Sequence, residues 1–207
     1  MHIFFLNCHN KNIKQNEMIG GKYMKATGVV RRIDDLGRVV IPKEIRKTLR
    51  IKEGDPLEIF TDREGQVILK KYSPIGELSE FAIGYAETLS KTTGHIACIT
   101  DKDTIIAVSG GSKKEFLEQD VSQELEQLME DKEVYTSNEN KDLAMPITKN
   151  DNQSRRYNSQ VVYPIVSNGD TIGTVILLAK DANTKMTDTE RKIAQSAATF
   201  LGSQMEI

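Results

Sequence analysis

Apolar residues recur along this chain at two spacings, and the switch between them marks out its elements. Val29, Arg31 and Ile33 alternate with Val30 and Arg32, the two-residue period of a strand with two distinct faces. Asp34-Asp35-Leu36-Gly37 follows as a tight turn, since Asx side chains and glycine favour reversals. Val39-Val40-Ile41 reads as a short buried strand. Pro42 then stands at the first position of a helix, where its missing N–H costs nothing. On that helix Ile45 and Leu49 share one face, with Arg46, Lys47 and Arg50 elsewhere around it. Leu57, Ile59 and Thr61, then Val67 and Leu69, are two further alternating runs joined by a hairpin turn at Arg63-Glu64-Gly65. Four short strands and one short helix in about fifty residues bury too little surface to be stable alone. With no disulfide or metal available, a homodimer is the physical expectation.

The period then changes. Ser73-Pro74 opens a helix, with Ser as N-cap and Pro at the first position. Ile75, Leu78, Ala82, Tyr85 and Leu89 follow at spacings of 3, 4, 3 and 4. This is a heptad seam over barely two heptads, too short for a coiled coil on its own. It fits equally a connector holding two dimeric domains in register or an amphipathic helix lying on the next domain. Thr93-Gly94 ends it. His95 to Thr100 and Thr104 to Val108 form a hairpin about Asp101-Lys102-Asp103. Ser112-Lys113-Lys114-Glu115 has the form of a capping box, and the helix after it carries Leu117, Val121, Leu125 and Leu128 on one face. Val134 to about Gln160 is poorly periodic and predicts a loop with one strand. Val161 to Leu178 is a hairpin about Ser167-Asn168-Gly169-Asp170, with the favoured Asn-Gly turn. Thr187-Asp188-Thr189-Glu190 is a second capping box, and the last helix is expected to bury Ile193, Ala197, Phe200 and Leu201.

Charge divides the chain. Residues 24–73 hold 12 Lys/Arg against 8 Asp/Glu, and residues 74–207 hold 13 against 21, so a net of −2 conceals a basic front and an acidic back. The split points to nucleic acid at the front; on charge alone an uneven solvated surface explains it equally well. Cys8 and Cys98 make no secreted-type disulfide framework. No apolar run approaches the roughly 18 residues of a membrane span, so a cytoplasmic protein is expected. Met1 to Tyr23 shows no clear period and is a poor signal peptide. It is expected to be a disordered leader packing against nothing. Gly20-Gly21 lies where its codons could form a ribosome-binding sequence ahead of a start at Met24.

One cysteine and one histidine remain after Met24, fewer than the about four ligands of a zinc cluster. The chain holds no Walker or Rossmann fingerprint. Gly110-Gly111-Ser112-Lys113-Lys114 is a turn and cap rather than a phosphate loop, and Cys98 in its apolar strand is a small core residue. No catalytic residue, metal or cofactor is expected.

Lys25-Ala26-Thr27-Gly28-Val29-Val30-Arg31-Arg32, Leu36-Gly37-Arg38-Val39-Val40-Ile41-Pro42, Leu57-Glu58-Ile59-Phe60 and Val67 to Tyr72 resemble, in order and spacing, the AbrB-type swapped-hairpin DNA-binding domain. Tyr163-Pro164-Ile165, Gly169 and Ile172-Gly173-Thr174-Val175-Ile176 are similar to the closing hairpin of GAF sensor domains. From Met24 to its end the chain resembles the stage V sporulation protein T family of endospore-forming bacteria. The resemblance implies an α+β protein: an N-terminal swapped-hairpin β-barrel dimer module over residues 24–73, a linker helix over 74–94 and a GAF-like α/β sandwich over 95–207. It implies a DNA-binding regulator of late, forespore-type gene expression, activating or repressing, that works on the nucleoid as a dimer or tetramer. An unidentified small-molecule effector is a further implied partner. Arg31, Arg32, Arg38, Lys43, Arg46 and Lys47 are the candidate DNA contacts, and family DNA-binding arginines fall on Arg31, Arg38 and Arg46. The alternative for these cations is pairing with Asp34, Asp35, Glu44 or Glu53 on a solvated face. Two other functions stay open: an antitoxin-like partner protein built on the same fold, and a small-molecule-binding protein whose basic module only dimerises.

Overall fold

The computed structural model describes residues 3–7, 16–19, 22–25, 27–61, 63, 65–77, 79–137, 144–151, 157, 159–179, 181 and 184–205. It divides into two compact units, residues 1–72 and 73–207.

In the first unit β1 (Ile3–Asn7), β2 (Asn16–Ile19) and β3 (Lys22–Lys25) precede α1 (Lys43–Thr48), β4 (Leu57–Thr61) and β5 (Gln66–Lys71). A three-stranded antiparallel sheet runs in the order β1-β5-β4, and β2 pairs with β3. The β4–β5 hairpin is the expected one, with Ile59 opposite Leu69 and Gly65 at φ +82° in its turn; Glu64 lies outside the described residues. The expectation of a leader that packs against nothing is corrected for residues 3–7. The backbone of residues 3–7 pairs with β5 from Ile3–Lys70 to Asn7–Gln66. β5 would otherwise present an edge of unpaired N–H and C=O groups, and Ile-Phe-Phe-Leu is a β-prone run able to cover it. Pro42 stands one place before its expected position. It is the N-cap at φ −57°, ψ 148°, and its carbonyl accepts from the Arg46 N–H at 2.9 Å.

The buried strand expected at Val39–Ile41 is also corrected. Residues 27–34 and 38–42 belong to no strand, and Val40 is exposed. Strand formation needs a neighbouring ladder, and among the described residues of this single chain nothing pairs with that segment.

The second unit comprises α2 (Pro74–Glu77), α3 (Ser79–Thr93), β6 (Ile96–Thr100), β7 (Ile105–Ser109), α4 (Lys113–Phe116), α5 (Gln123–Asp131), β8 (Tyr135–Ser137), β9 (Ser159–Ser167), β10 (Asp170–Ala179) and α6 (Asp188–Ser203). Its five-stranded sheet runs β7-β6-β10-β9-β8, with every neighbouring pair antiparallel. Apolar residues cover both faces of the central strands. Ala97, Ile99, Val175 and Leu177 join Ala82, Ala86, Leu89, Ala197 and Leu201 from α3 and α6. Cys98, Ile176 and Leu178 join Phe116, Val121, Leu125 and Leu128 on the opposite face. A strand sandwiched in this way reads as a continuous apolar run rather than an alternating one. Asn168 and Gly169, at φ +50° and +83°, make the turn expected between β9 and β10.

Four local expectations resolve here. Ile75, Ala82 and Leu89 of the heptad seam are buried in this unit's own core, with Tyr85 partly buried against it, so the helix lies on the second domain; Leu78 lies outside the described residues. The single helix after Ser112 is instead two. Ser112 makes no side-chain cap, Glu118 turns the chain at φ +61°, and Ser122 caps α5 by accepting the Leu125 N–H at 3.0 Å. The capping box at Thr187 and Glu190 forms as expected. Phe200 is not buried: it stands exposed against Phe81 and Tyr85, with ring centroids 5.8 and 5.6 Å away.

Candidate nucleic-acid interface

The turn before Arg38 is closed from several directions. The Gly37 N–H donates to the Asp34 carbonyl and the Asp34 N–H to the Arg38 carbonyl, each at 3.0 Å. Oδ1 of Asp34 accepts the N–H groups of Leu36 and Arg38 at 3.0 and 2.7 Å. Gly37 at φ +76° makes the reversal that returns the chain over Asp34. Oδ2 of Asp34 then accepts from Nε of Arg38 at 2.8 Å. The Arg38 backbone N–H, foremost, and its guanidinium hold the Asp34 carboxyl below its ordinary range. Arg38 keeps 69% of its side chain exposed. Pairing with Asp34, set out above as the alternative to DNA contact, therefore coexists with exposure.

Arg31, Arg32, Lys43 and Lys47 are exposed, and among the described residues none of them forms an ion pair. Nη1 of Arg31 reaches only the carbonyl of its neighbour Val30, at 3.4 Å. Arg46 differs from the rest. It is half-buried on α1, beside the buried Ile45, and its Nε is shut from solvent with no hydrogen-bond partner among the described residues. Of the six candidate contacts, five are thus exposed and one, Arg46, is partly sunk. Asp34 carries two jobs in this geometry, shaping the turn and holding Arg38; the sequence offered it as a turn residue and, separately, as a charge partner.

Large apolar side chains interleave with these cations. Val30 is 85% exposed, Ile33 64%, Leu36 70% and Val40 68%. Ile59 and Phe60 of β4 are exposed as well. Isolated exposed apolar residues are ordinary, whereas a group of this size in one small unit marks an interaction surface.

The second unit holds a polar cleft of about 260 Å³ lined by Ser122, Gln123, Glu124, Pro146, Thr148, Lys149 and Asp151. One of its lining side chains is already tied: the Ser122 hydroxyl donates to the Pro146 carbonyl at 2.6 Å and accepts the Leu125 N–H at 3.0 Å.

Residues 77–206 match the family described as stage V sporulation protein T C-terminal, transcription factor. Residues 30–77 match the family described as antidote-toxin recognition MazE, bacterial antitoxin. Over 52 residues the chain is 62% identical to the transition state regulatory protein AbrB of Bacillus subtilis (strain 168), which is 25% of this chain and 53% of that one. The fold is similar to the GAF domain of the Acinetobacter phosphoenolpyruvate-protein phosphotransferase, with a TM-score of 0.52 at 11% identity, covering 62% of this chain and 81% of that one. An AbrB-like DNA-binding module followed by a GAF-like α+β domain defines a two-domain transcription factor. Along 183 residues the chain is 52% identical to stage V sporulation protein T of Bacillus subtilis (strain 168), spanning 88% of this chain and 99% of that relative. It belongs to the stage V sporulation protein T family and is a transcription factor of sporulation.

Proposed function

We propose that the chain regulates transcription as a homodimer whose first unit grips duplex DNA with Arg31, Arg32, Arg38, Lys43, Arg46 and Lys47. The observation that carries this reading is the interleaving of exposed apolar and cationic side chains over residues 29–47. Segments without ladder partners and with exposed Val30, Ile33, Leu36 and Val40 suit pairing with a second copy. A two-fold pairing then doubles each cation across an axis that matches the pseudo-two-fold axis of a duplex. Arginine serves such a surface by bridging phosphates bidentately or by reading guanine edges. The protein then acts in the cytoplasm, on the nucleoid. The polar cleft beside Ser122 and Lys149 is the candidate effector site of the second unit. An effector bound there alters DNA affinity only if it distinguishes two states of the protein.

The antitoxin-like reading draws on the match of residues 30–77. A folded second unit with cores on both faces of its sheet weighs against it, because a disordered toxin-binding tail is the usual counterpart of that module. A salt titration of DNA binding by the full chain tests the proposal. Log affinity is expected to fall with log salt at a slope of about −0.9 per neutralised phosphate. Binding indifferent to salt would overturn it.

A further inference from the structure

We propose that Asp34 is a positioning residue for DNA binding: it holds the Arg38 guanidinium by its Nε edge so that both terminal nitrogens face outward. This rests on the reading of Arg38 as a DNA contact. Its support is the geometry of the turn. One carboxylate oxygen is committed to the backbone, accepting the N–H groups of Leu36 and Arg38, and is thereby fixed in place. The other oxygen lies 2.8 Å from Nε of Arg38. Among the described residues neither terminal nitrogen of Arg38 has a hydrogen-bond partner. The same carboxylate therefore sets both the turn that carries the arginine and the direction in which the arginine points.

The physical benefit is pre-organisation. A free, exposed arginine samples many rotamers and loses that freedom when it clamps a phosphate or a guanine edge. Holding Nε in advance removes part of that loss from the binding step. A bidentate contact to phosphate or guanine can be made with the terminal pair, which Asp34 leaves open. An acidic side chain beside DNA also repels phosphate, so the two effects oppose each other and the sign of a mutation decides between them.

Four variants of the full chain, Arg38→Ala among them, read by fluorescence anisotropy on a labelled mixed-sequence duplex and by thermal melting, separate these effects. Asp34→Ala removes both the turn acceptor and the Nε partner, and is expected to lower both melting temperature and affinity. Asp34→Asn keeps an oxygen for the two backbone N–H groups but turns an amide donor toward Nε. It is expected to restore the melting temperature while affinity stays roughly three- to tenfold below wild type. In an Arg38→Ala background, Asp34→Asn is expected to cost no affinity, since only the relief of phosphate repulsion is left to read. Affinity that recovers together with the melting temperature in Asp34→Asn would overturn the proposal, as would binding tighter than wild type or an equal loss in both backgrounds. Should Asp34→Asn fail to fold, Arg38→Lys takes its place: charge is kept and the Nε donor lost, so wild-type affinity in that variant would equally overturn it. An Arg38→Ala chain that binds as wild type would instead sink the assignment of Arg38 as a contact, a separate failure.

Discussion

A methyl group at Gly202 would stand 2.1 Å from the carbonyl oxygen of Val166. That is backbone against backbone, and neither side has a flexible end to yield. Alanine is ordinarily the better helix residue by about 1 kcal/mol, yet here the clash outweighs the gain. Gly202→Ala is expected to lower stability by roughly 1–3 kcal/mol in urea unfolding, the usual cost of overpacking; an equal or higher midpoint would show that α6 shifts to make room. Arg38→Ala should cost roughly 1–3 kcal/mol of DNA affinity if the arginine reads a base edge, or about one unit of salt slope if it meets phosphate. The melting temperature should stay near wild type, since the side chain is largely exposed. What single residues revealed in the sequence was uneven. The turn at Asp34 to Gly37 and the Asn168-Gly169 reversal were legible because their chemistry is local. Phe200 was not. Its place on the exposed side of α6 depends on Phe81 and Tyr85 from another helix, far off in sequence.

The two capping boxes show what decides whether an element starts where its sequence allows. Thr187 and Glu190 close theirs, each side chain serving the other's backbone N–H. Ser112 and Glu115 do not, because Ser122 captures α5 ten residues later and its hydroxyl also donates to the Pro146 carbonyl at 2.6 Å. Tertiary bonds of this kind leave no mark on local spacing. The start of α6 carries a pH dependence. Burial raises the Glu190 carboxyl, but the hydrogen bonds from Thr187 and the His95 imidazole at 4.0 Å outweigh it, and the net shift is downward. A carboxylate depressed on folding stabilises the fold above its unfolded value and loses that contribution as pH falls through the folded one. The melting temperature of wild type should thus drop more steeply below the ordinary glutamate value of 4.5 than that of Glu190→Gln, which keeps the hydrogen bond to the Thr187 N–H and does not titrate there. Parallel curves would remove Glu190 from the acid response.

The order and kind of most elements in the second unit could be read from spacing because its core is built within one chain. The first unit was harder to read for the opposite reason. Val29 to Ile41 has the alternation of strands, but its ladder partners are not among the described residues, so periodicity suggested burial that one copy does not supply. If a second copy covers that surface, Ile33→Asp should place an unpaired charge inside the contact. That costs roughly 3–5 kcal/mol, a factor of about 10² to 4 × 10³ in dimer dissociation. Sedimentation equilibrium should show monomer where wild type is dimeric, and DNA binding should fall with it; a variant that stays dimeric would place the contact elsewhere. Cys98 offers a different kind of access to the molecule. It lies fully buried between Val108 of β7 and Ile176 of β10, where burial first and then the charge of Glu115 push its thiol far above the ordinary value. The thiolate is the form that attacks a disulfide reagent and displaces its leaving thiol, so this sulfur is silent while the central strands hold together. With Cys8 replaced by serine, the rate at which a disulfide reagent modifies Cys98 becomes a stopwatch for the opening of the sheet, with no added label.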